Sequence, residues 1–326
     1  MKVLVTGAGS LLLGGVATAL VERGDEVVCL QRRPLALDGV ATVSGDVRDA
    51  DAVLAAAQGC DAIVHGAALV GVVGEWDDFR SVNVDGAANV VSAAQSVGVS
   101  RLVYVSTPSV AHSGHSIVGE GAAAAVTGRR GAFYAESKAI AEQAVLAANS
   151  DSLGVVAIRP HLVWGPGDTQ LVGRIVERAR AGRLAMVGDG SALIDSTYID
   201  NAISAHVAAL DAVRPGAACA GRAYVVANGE PRTVRELMEG ICRAAGVPFQ
   251  PRRVPVGLAL RAGAVVERVW PRFRDDEPPI TRFIAEQLGT AHWFDPRPAR
   301  DDLHWTPMVS LDEGLARLAA SFHPRP

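Results

Sequence analysis

Hydrophobic and polar positions follow two patterns that alternate from the first residues of the chain. Short runs rich in Val, Ile and Leu, such as residues 3–6 and 155–158, are separated by longer stretches in which apolar side chains recur every three or four positions. The short runs predict β-strands that are buried on both faces, and the longer stretches predict amphipathic helices. This alternation is typical of an α/β fold with a doubly wound parallel sheet.

The alternation predicts two parts of unequal size. It is regular through residues 1–165, and beyond them Pro and Gly become more frequent and the strand signals become shorter. We therefore expect residues 1–165 to form the domain with the parallel sheet. Residues 166–326 are expected to form mainly a smaller part that covers the carboxyl edge of the sheet, with elements near 198–228 returning to the first domain.

Composition narrows the class of protein. The 326 residues include 49% hydrophobic residues, carry a formal net charge of -4 and contain no basic run, so we expect a globular protein that does not bind nucleic acid. No stretch reaches the ~20 apolar residues of a membrane-spanning helix, and the first strand leaves no room for a signal peptide. The expected location is the cytoplasm. Four widely spaced cysteines predict buried, reduced thiols and no metal site.

A glycine-rich turn follows the first predicted strand and opens a helix. The backbone N–H groups of such a turn, together with the positive end of the helix, can bind a pyrophosphate. The alternative is a tight turn without a ligand, but dinucleotides bind at the first βα unit of doubly wound sheets. Cofactor contacts are therefore expected from Gly7, Gly9, Ser10, Leu11 and Leu12.

The end of the second predicted strand indicates which dinucleotide binds. Proteins that prefer NAD usually have an Asp or Glu there, which accepts hydrogen bonds from the ribose hydroxyls. This chain has Gln31, Arg32 and Arg33 instead. Two guanidinium groups without a carboxylate suit a 2′-phosphate, so we expect NADPH over NADH. The alternative is an exposed basic turn without a ligand.

Two further segments at the ends of predicted strands are expected to contact the cofactor. Asp46 and Val47 follow the third strand, where Asp46 can accept a hydrogen bond from the adenine amino group or, alternatively, cap the next helix. Ala67 and Ala68 follow the fourth strand, and their small side chains let the backbone lie against the cofactor. His65, just before them, is expected to be structural.

The segment Tyr-Ala-Glu-Ser-Lys carries the candidate acid–base chemistry. Residues four apart on a helix share a face, so the phenol of Tyr134 and the ammonium of Lys138 can lie side by side, and a nearby cation favours a phenolate. Lys2 is the only other lysine in the sequence. The alternative is a solvated helical face. We expect Thr107, or else Ser106, at the end of the fifth strand to share a substrate carbonyl with Tyr134.

These motifs, in this order, resemble the extended short-chain dehydrogenase/reductase family over essentially the whole chain. The resemblance implies a Rossmann fold, a homodimer through the helices at 77–97 and 133–148, and the following roles. Tyr134 is the acid or base, Lys138 binds the nicotinamide ribose and lowers the pKa of Tyr134, Thr107 polarises the substrate, and Asn83 completes a proton relay. Further cofactor contacts are implied for Ser106, Tyr134, Lys138 and Pro160.

Two departures from family patterns are visible. Where the family has Gly-x-x-Gly-x-x-Gly, this chain has Gly7, Ser10 and Leu13, which puts a bulky side chain where helix and strand approach closely. Nucleotide-sugar epimerases and dehydratases typically have an Arg-Asp pair, whose Arg binds a diphosphate, where this chain has Ile194-Asp195. The missing guanidinium favours a hydrocarbon substrate.

Residues 159–168 and 187–201 resemble the 3β-hydroxysteroid dehydrogenase branch of the family. We expect Arg159 or His161 to receive a substrate carboxylate. The apolar segments 254–270 and 279–294 either admit an alkyl chain or pack against the sheet. The remaining substrate contacts are expected from Ser109, His161, Trp164 and Tyr198, with Phe273, Trp293 and Phe294 along the alkyl chain; the alternative is that the apolar ones are ordinary core residues.

The resemblance extends to enzymes of long-chain olefin biosynthesis. It implies NADPH-dependent reduction of a 2-alkyl-3-oxoalkanoic acid to the 3-hydroxy acid, with other enzymes of that pathway as potential partners. The alternatives are oxidation of a 3β-hydroxysteroid or sterol acid, a nucleotide-sugar epimerase or dehydratase, and a non-catalytic module that binds NADP.

Overall fold

A computed structural model gives the fold. It describes residues 1–71, 74–111, 114–128, 132–270 and 281–323, with the backbone alone at 268, 269 and 283. Phe273 and the first residues of the apolar segment 279–294 lie outside the described residues. No helix in the described part of the chain is both long enough and apolar enough to span a membrane.

Strands and helices alternate through the first half of the chain, as the sequence predicts. The strands are β1 Lys2–Thr6, β2 Glu26–Gln31, β3 Val40–Ser44, β4 Ala62–His65, β5 Arg101–Val105, β6 Ile117–Glu120, β7 Gly154–Pro160, β8 Val163–Trp164, β9 Ala185–Val187, β10 Leu193–Ile194, β11 Thr197–Tyr198, β12 Arg222–Val226, β13 Arg232–Thr233, β14 Arg252–Val254 and β15 His292–Phe294. The α-helices are α1 Leu11–Glu22, α2 Ala50–Ala57, α3 Trp76–Phe79, α4 Gly86–Val97, α5 Phe133–Ala147, α6 Leu171–Arg180, α7 Ile199–Ala212, α8 Val234–Ala244, α9 Val256–Val269, α10 Arg282–Gly289, α11 Arg297–Leu303 and α12 Leu311–Phe322.

Seven parallel strands form the central sheet, in the order β12-β7-β5-β4-β1-β2-β3. Successive side chains of a strand point to opposite faces, so Val3 and Val5 of β1 pack in a core with α1, α7 and α11, while Leu4 packs in a second core with α2, α4 and α5. Both faces of the sheet are therefore covered. The predicted doubly wound α/β fold is confirmed.

The second half of the chain contributes to two layers. Strand β12 is an edge strand of the central sheet, and α7 packs against α1, so elements within residues 198–228 are built into the first layer. The remaining strands form small sheets, one of them in the order β13-β10-β15-β6. Helices α6, α8 and α12 surround a third apolar core. This smaller lobe lies at the carboxyl end of the central sheet, because one cavity is lined both by residues that follow β5 and β7 and by residues of α6 and α8.

The first helix packs closely against the sheet although Leu13 replaces a glycine of the family pattern. Leu13 is buried, and a Cβ built on Gly66 would lie only 2.8 Å from its side chain. The volume added on α1 is thus offset by the missing side chain after β4. The helix makes its own close approach at Gly14, where a Cβ would lie 2.9 Å from the carbonyl oxygen of Ala8.

Leu13 and Gly66 are predicted to be coupled in stability. Gly66→Ala alone should lower the free energy of unfolding by about 1–3 kcal/mol through overpacking, and Leu13→Ala alone by about 2–5 kcal/mol through the cavity that it leaves. The double variant should lose less than the sum, because the new methyl group at position 66 enters the space that Leu13 vacates.

Urea unfolding of the four proteins measures this coupling. The control pairs Gly66→Ala with Leu20→Ala, since Leu20 is a fully buried leucine on the same helix, whereas the three atoms nearest to a Cβ on Gly66 all belong to Leu13. The control pair should be additive. Additive losses for the Leu13 pair as well would contradict the proposed contact.

Candidate active site

The glycine-rich turn is held against the end of β4. Gly7 has a φ of +84°, and a Cβ there would lie 2.7 Å from the backbone nitrogen of Ala67, so glycine is required on both counts. The Thr6 hydroxyl accepts hydrogen bonds from the N–H groups of Gly66 (3.2 Å) and Ala67 (3.1 Å). It therefore donates its own hydrogen to Nδ1 of His65, at 2.7 Å. His65 serves the structure, as expected.

The start of α1 faces outward from this turn. Ser10 caps the helix, and its side chain accepts a hydrogen bond from the N–H of Leu13 at 3.2 Å. The N–H groups of Leu11 and Leu12 belong to the first helical turn, where the helix itself supplies no acceptor. The turn thus offers backbone donors and the positive end of a helix, which suit a pyrophosphate.

Gln31 joins the end of β2 to the same turn. In the amide orientation that satisfies both partners, its side-chain oxygen accepts hydrogen bonds from the N–H groups of Ala8 and Gly9. The two residues that follow, Arg32 and Arg33, are exposed. Two guanidinium groups are therefore accessible beside the turn.

Asp46 is paired with an arginine at the end of β3. The guanidinium of Arg48 donates to both carboxylate oxygens, at 3.1 and 2.8 Å. These hydrogen bonds, with a smaller effect from the charge of Arg32, hold the pKa of Asp46 below its usual value. Asp49, and not Asp46, caps α2, so the alternative role for Asp46 is wrong. Val47 is buried beside it.

Lys138 lies in the protein interior on α5. Its side chain is buried, and its ammonium donates a hydrogen bond to the carbonyl oxygen of Val105 at 2.7 Å. The same ammonium lies 4.1 Å from the centre of the Tyr104 ring. Burial lowers the pKa of Lys138 to about 7, and the negative charge of Glu142, one helical turn further on, opposes that lowering.

Tyr134 is half-buried one turn before Lys138, and it hydrogen-bonds to Thr107. Burial raises the pKa of Tyr134 to about 12, although the hydrogen bond to Thr107 lowers it in part. The net direction is opposite to the lowering that the family resemblance implies, because the phenolate loses its hydration. The hydroxyl of Thr107 is further held by Ser109, whose N–H donates to it at 3.3 Å.

Ser106 and Asn83 differ in how their polar groups are used. The Ser106 hydroxyl is buried and has no hydrogen-bond partner within the described residues.

Asn83 lies in a π-helical turn, a feature frequent at functional sites. Its side-chain amide hydrogen-bonds to the N–H of Leu69 at 2.7 Å, to the carbonyl oxygen of Leu69 at 3.0 Å and to the hydroxyl of Ser137 at 2.9 Å. Asn83 thus fixes the chain after β4 to α5. Its part in a proton relay stays a prediction.

A cavity of about 390 Å³ lies between the end of the central sheet and the smaller lobe. The polar side chains of Thr107, Ser109 and His161 form the polar end of the cavity next to the central sheet, and Pro160 lies beside them. Thr107 therefore connects two parts of the site, since it lines the cavity and also hydrogen-bonds to Tyr134. Most of the other wall residues are aliphatic or aromatic, among them Leu162, Ile175, Leu184, Ile194, Leu288 and Phe294.

Two predicted substrate contacts lie elsewhere. Trp164 is fully buried in the core of the smaller lobe, where its Nε1–H donates to the Ser196 hydroxyl at 2.9 Å. Its ring packs edge-on against Tyr198, with ring centroids 5.5 Å apart. The structure places neither residue in the cavity wall, because the paired strands β8 and β11 turn both side chains into the core.

Arg159 does not face the cavity, which corrects the expectation that it receives a substrate carboxylate. It is buried, and its guanidinium donates to both carboxylate oxygens of Glu142, one of these bonds being 2.8 Å long, and to the carbonyl oxygen of Ala123 at 2.7 Å. These three hydrogen bonds hold the guanidinium away from the cavity, whose wall does not include Arg159. His161 does line the cavity, and its Nδ1–H donates to the carbonyl oxygen of Asp195.

The sequence reasoning missed several cavity residues on the smaller lobe. Arg174 and Arg178 lie one turn apart on α6 and both line the cavity, as does His292 of β15. The spacing of two arginines on an amphipathic helix was the available signal. For His292 there was none, because its strand is short and its neighbours in space come from distant parts of the chain.

The described residues fit a nicotinamide dinucleotide. The left-handed glycine, the open end of α1 and the buried, unpartnered hydroxyl of Ser106 follow one another along the carboxyl edge of the sheet. Lys138 has two N–H bonds beyond the one that it donates to Val105, which suits ribose hydroxyls. These donors and the absence of a side chain at Gly7 match what a pyrophosphate and a nicotinamide ribose require.

Comparison with known proteins identifies relatives across the whole chain. A model of the 3-beta hydroxysteroid dehydrogenase/isomerase family matches residues 29–256. A 2-alkyl-3-oxoalkanoate reductase of Stenotrophomonas maltophilia is 50% identical over 98% of this chain and 99% of its own, and one of Shewanella oneidensis is 41% identical over 97% and 85%. A 3-beta-hydroxysteroid dehydrogenase of Mycolicibacterium neoaurum is 31% identical over 97% and 89%.

Solved structures share the fold at lower identity. A UDP-glucose 4-epimerase of Thermotoga maritima with UDP-glucose superposes with a TM-score of 0.75 at 20% identity, covering 99% of this chain and 98% of its own. A dTDP-glucose 4,6-dehydratase double mutant of Streptomyces venezuelae, solved with NAD, gives 0.74 at 23% identity, covering 100% and 98%. At these identities the likeness establishes the fold alone.

The buried pair of Glu142 and Arg159 is predicted to matter for stability. Glu142→Gln should lower the free energy of unfolding by about 3–5 kcal/mol, because it leaves a buried guanidinium without its counter-charge. Replacing both residues by apolar ones, as Glu142→Leu with Arg159→Met, should cost less than the single change. Thermal and urea unfolding measure both effects.

A matched control is the exposed pair of Glu239 and Arg243 on α8, with an N···O distance of 3.3 Å. Glu239→Gln should change the free energy of unfolding by only about 0.5 kcal/mol or less. If Glu142→Gln is equally mild, the buried pair does not have the role assigned to it.

Proposed function

The chain belongs to the 3-beta hydroxysteroid dehydrogenase/isomerase family, and we propose that it reduces the C3 ketone of a 2-alkyl-3-oxoalkanoic acid to the 3-hydroxy acid with NADPH. The resemblance seen in the sequence is confirmed by the relatives, two of which carry the name of that activity. The proposed place of the reaction is long-chain olefin biosynthesis. One observation in the site carries the proposal: Thr107 joins an acid–base tyrosine to an apolar cavity.

The chain's own groups support each task of a ketone reduction. Thr107 hydrogen-bonds the ketone oxygen from the cavity wall, and Tyr134, whose burial keeps it protonated, donates a proton to the developing alkoxide. Lys138 holds the nicotinamide ribose beside Tyr134. The bound nicotinamide supplies the hydride. Ser106 offers its buried hydroxyl to the cofactor.

The cavity favours an alkyl substrate over a nucleotide sugar. Ile194 lines it at the position where sugar-nucleotide enzymes typically carry an arginine for the diphosphate, and Leu162 and Phe294 extend the apolar surface. Phe294 thereby stands where the alkyl chain is expected. The substrate carboxylate lies two bonds from the ketone carbon, so it is received close to Thr107, with His161 as its partner in the polar end of the cavity.

Oxidation of a 3β-hydroxysteroid is the second candidate. It uses the same groups in the reverse direction, and the family model and the Mycolicibacterium relative favour it. The higher identity of the two reductases places it second.

Assembly and domain roles remain part of the proposal. The chain is proposed to form a homodimer through α4 and α5, with residues 1–165 binding NADP and residues 166–326 mainly the substrate. Association with other enzymes of olefin biosynthesis is proposed because a reactive β-keto acid benefits from direct transfer. Light scattering with and without NADPH tests the dimer.

The proposed reaction predicts which substrate oxidises NADPH. A freshly prepared 2-alkyl-3-oxoalkanoic acid should cause loss of NADPH absorbance, whereas a nucleotide sugar should not, because the cavity lacks a guanidinium at Ile194. A 3-oxosteroid serves as the competing substrate. If only the steroid causes NADPH oxidation, the second candidate, a steroid dehydrogenase, replaces the proposed reductase. Saturable NADPH binding without turnover of any substrate would contradict both activities.

Tyr134→Phe should reduce turnover by about 10²- to 10⁴-fold, because the positioned proton donor is lost. Its affinity for NADPH, measured by fluorescence titration, should remain that of the parent protein. Tyr224→Phe is the control, since this tyrosine is a buried one that hydrogen-bonds Asp302 away from the cavity. A Tyr134→Phe variant with unchanged turnover would remove the acid–base role.

Arg32→Ala and Arg33→Ala test the cofactor preference. Each should raise the KM for NADPH by about tenfold, the equivalent of roughly 1.4 kcal/mol for a lost phosphate contact, and leave the KM for NADH nearly unchanged. Arg243→Ala, an exposed arginine on the smaller lobe, is the control. Equal effects on the two cofactors would refute recognition of the 2′-phosphate by this pair.

A further inference from the structure

The Lys138 ammonium has an uncharged aromatic neighbour that none of the family motifs includes. Tyr104 of β5 is 1% exposed, and its ring centre lies 4.1 Å from the Lys138 nitrogen. A cation at this distance from the face of an aromatic ring is attracted by the ring quadrupole, most strongly where water is excluded. The contact brings together a strand of the central sheet and the helix that carries Tyr134.

The ring of Tyr104, and not its hydroxyl, makes this contact. Buried polar groups are nearly always hydrogen-bonded, yet the Tyr104 hydroxyl has no partner in the part of the chain that the structure describes. Burial raises the pKa of Tyr104 well above its usual value, so the phenol remains neutral. A neutral phenol keeps the electron-rich face that attracts a cation.

The other titratable groups near Lys138 are each committed elsewhere. His65 is fixed by Thr6, and burial lowers its pKa to about 3, so it remains neutral. Glu142 is paired with the buried guanidinium of Arg159, and its negative charge still favours the Lys138 ammonium. Tyr134 is protonated, since its pKa is raised to about 12. The Val105 carbonyl and the Tyr104 ring are therefore the nearest groups that favour the ammonium without carrying charge.

We propose that Tyr104 is a positioning residue that holds the Lys138 ammonium in the active site with the face of its ring. The contact keeps Lys138 charged and localised, so that it can bind the cofactor ribose next to Tyr134. Only this catalytic consequence rests on the proposed function; the interaction between ring and ammonium stands independently of it.

The sequence makes a direct measurement simple, because Lys2 and Lys138 are its only lysines. Protein labelled with ¹³C at the lysine ε carbon gives two NMR signals, and Lys2→Arg assigns them. Titration of the Lys138 signal against pH, on the full chain without added cofactor, reports its pKa. Tyr104→Met, which keeps an apolar side chain but removes the ring, should lower that pKa by about 0.5–1.5 pH units, whereas Tyr104→Phe should leave it unchanged.

Replacement of Tyr104 by 3,4,5-trifluorophenylalanine tests the same contact in a variant of nearly unchanged shape. Fluorine withdraws electron density from the ring face, so the pKa of Lys138 should fall as it does in Tyr104→Met. If Tyr104→Met does not fold, the trifluorophenylalanine protein alone tests the contact between ring and ammonium. An unchanged or raised pKa of Lys138 in folded Tyr104→Met, or in the trifluorophenylalanine protein, would overturn the proposal. A Lys138 pKa that falls as far in Tyr104→Phe as in Tyr104→Met would also overturn it.

Turnover provides a separate readout. If the chain is a reductase, turnover should fall as the pH rises and Lys138 loses its proton. In Tyr104→Met this fall should occur at a lower pH than in Tyr104→Phe, and the difference should equal the difference between their Lys138 pKa values. A parent protein that reduces no ketone would refute the proposed function but leave the titration intact. Unshifted titrations in an active enzyme would refute the role of Tyr104 alone.

Discussion

An ammonium group inside a protein is unfavourable unless neighbouring groups replace the water that it loses. Much of this structure is arranged around that constraint at Lys138. The carbonyl oxygen of Val105 accepts a hydrogen bond from it, and Glu142 supplies negative charge one turn away. Glu142 is in turn held by Arg159 of β7, so the charge on one helix is balanced by a residue of the central sheet. The helix that carries Tyr134 and Lys138 is therefore fixed to the central sheet by buried polar contacts.

Parallel strands determine where the remaining chemistry lies. All seven strands of the central sheet end at one edge. The glycine-rich turn, Ser106 and Thr107 follow directly after such ends, and Gln31 is the last residue of β2. The smaller lobe then closes this edge with apolar side chains. Thr107 stands at the junction, since it faces the cavity of the lobe and hydrogen-bonds to the helix on the sheet. In the proposed function, the central sheet binds the cofactor, the smaller lobe shapes the substrate site, and the Thr107 hydroxyl lies between them.

The sequence predicted the fold and the identity of the edge residues because both follow from short-range patterns. Alternating strands and helices define a doubly wound sheet, and a motif after a strand must lie at its carboxyl end. The prediction that Arg159 receives a substrate carboxylate was wrong. Its partner, Glu142, is 17 residues away in the sequence, and only the packing of α5 on β7 brings the two side chains together. The prediction that Trp164 contacts the substrate was wrong for a similar reason. An apolar residue that is close in sequence to cavity residues can equally well pack in the neighbouring core, as Trp164 does.

The contact of Leu13 with Gly66 has a consequence for how such chains diverge. A glycine at position 66 tolerates either a small or a large residue at position 13, whereas a side chain at position 66 tolerates only a small one. A leucine at position 13 therefore requires a residue without a side chain at position 66, whereas a glycine at position 66 does not require the leucine. A glycine pattern that is read along one segment of the sequence therefore describes only one side of this contact, because the space for Leu13 is provided by Gly66 on another segment.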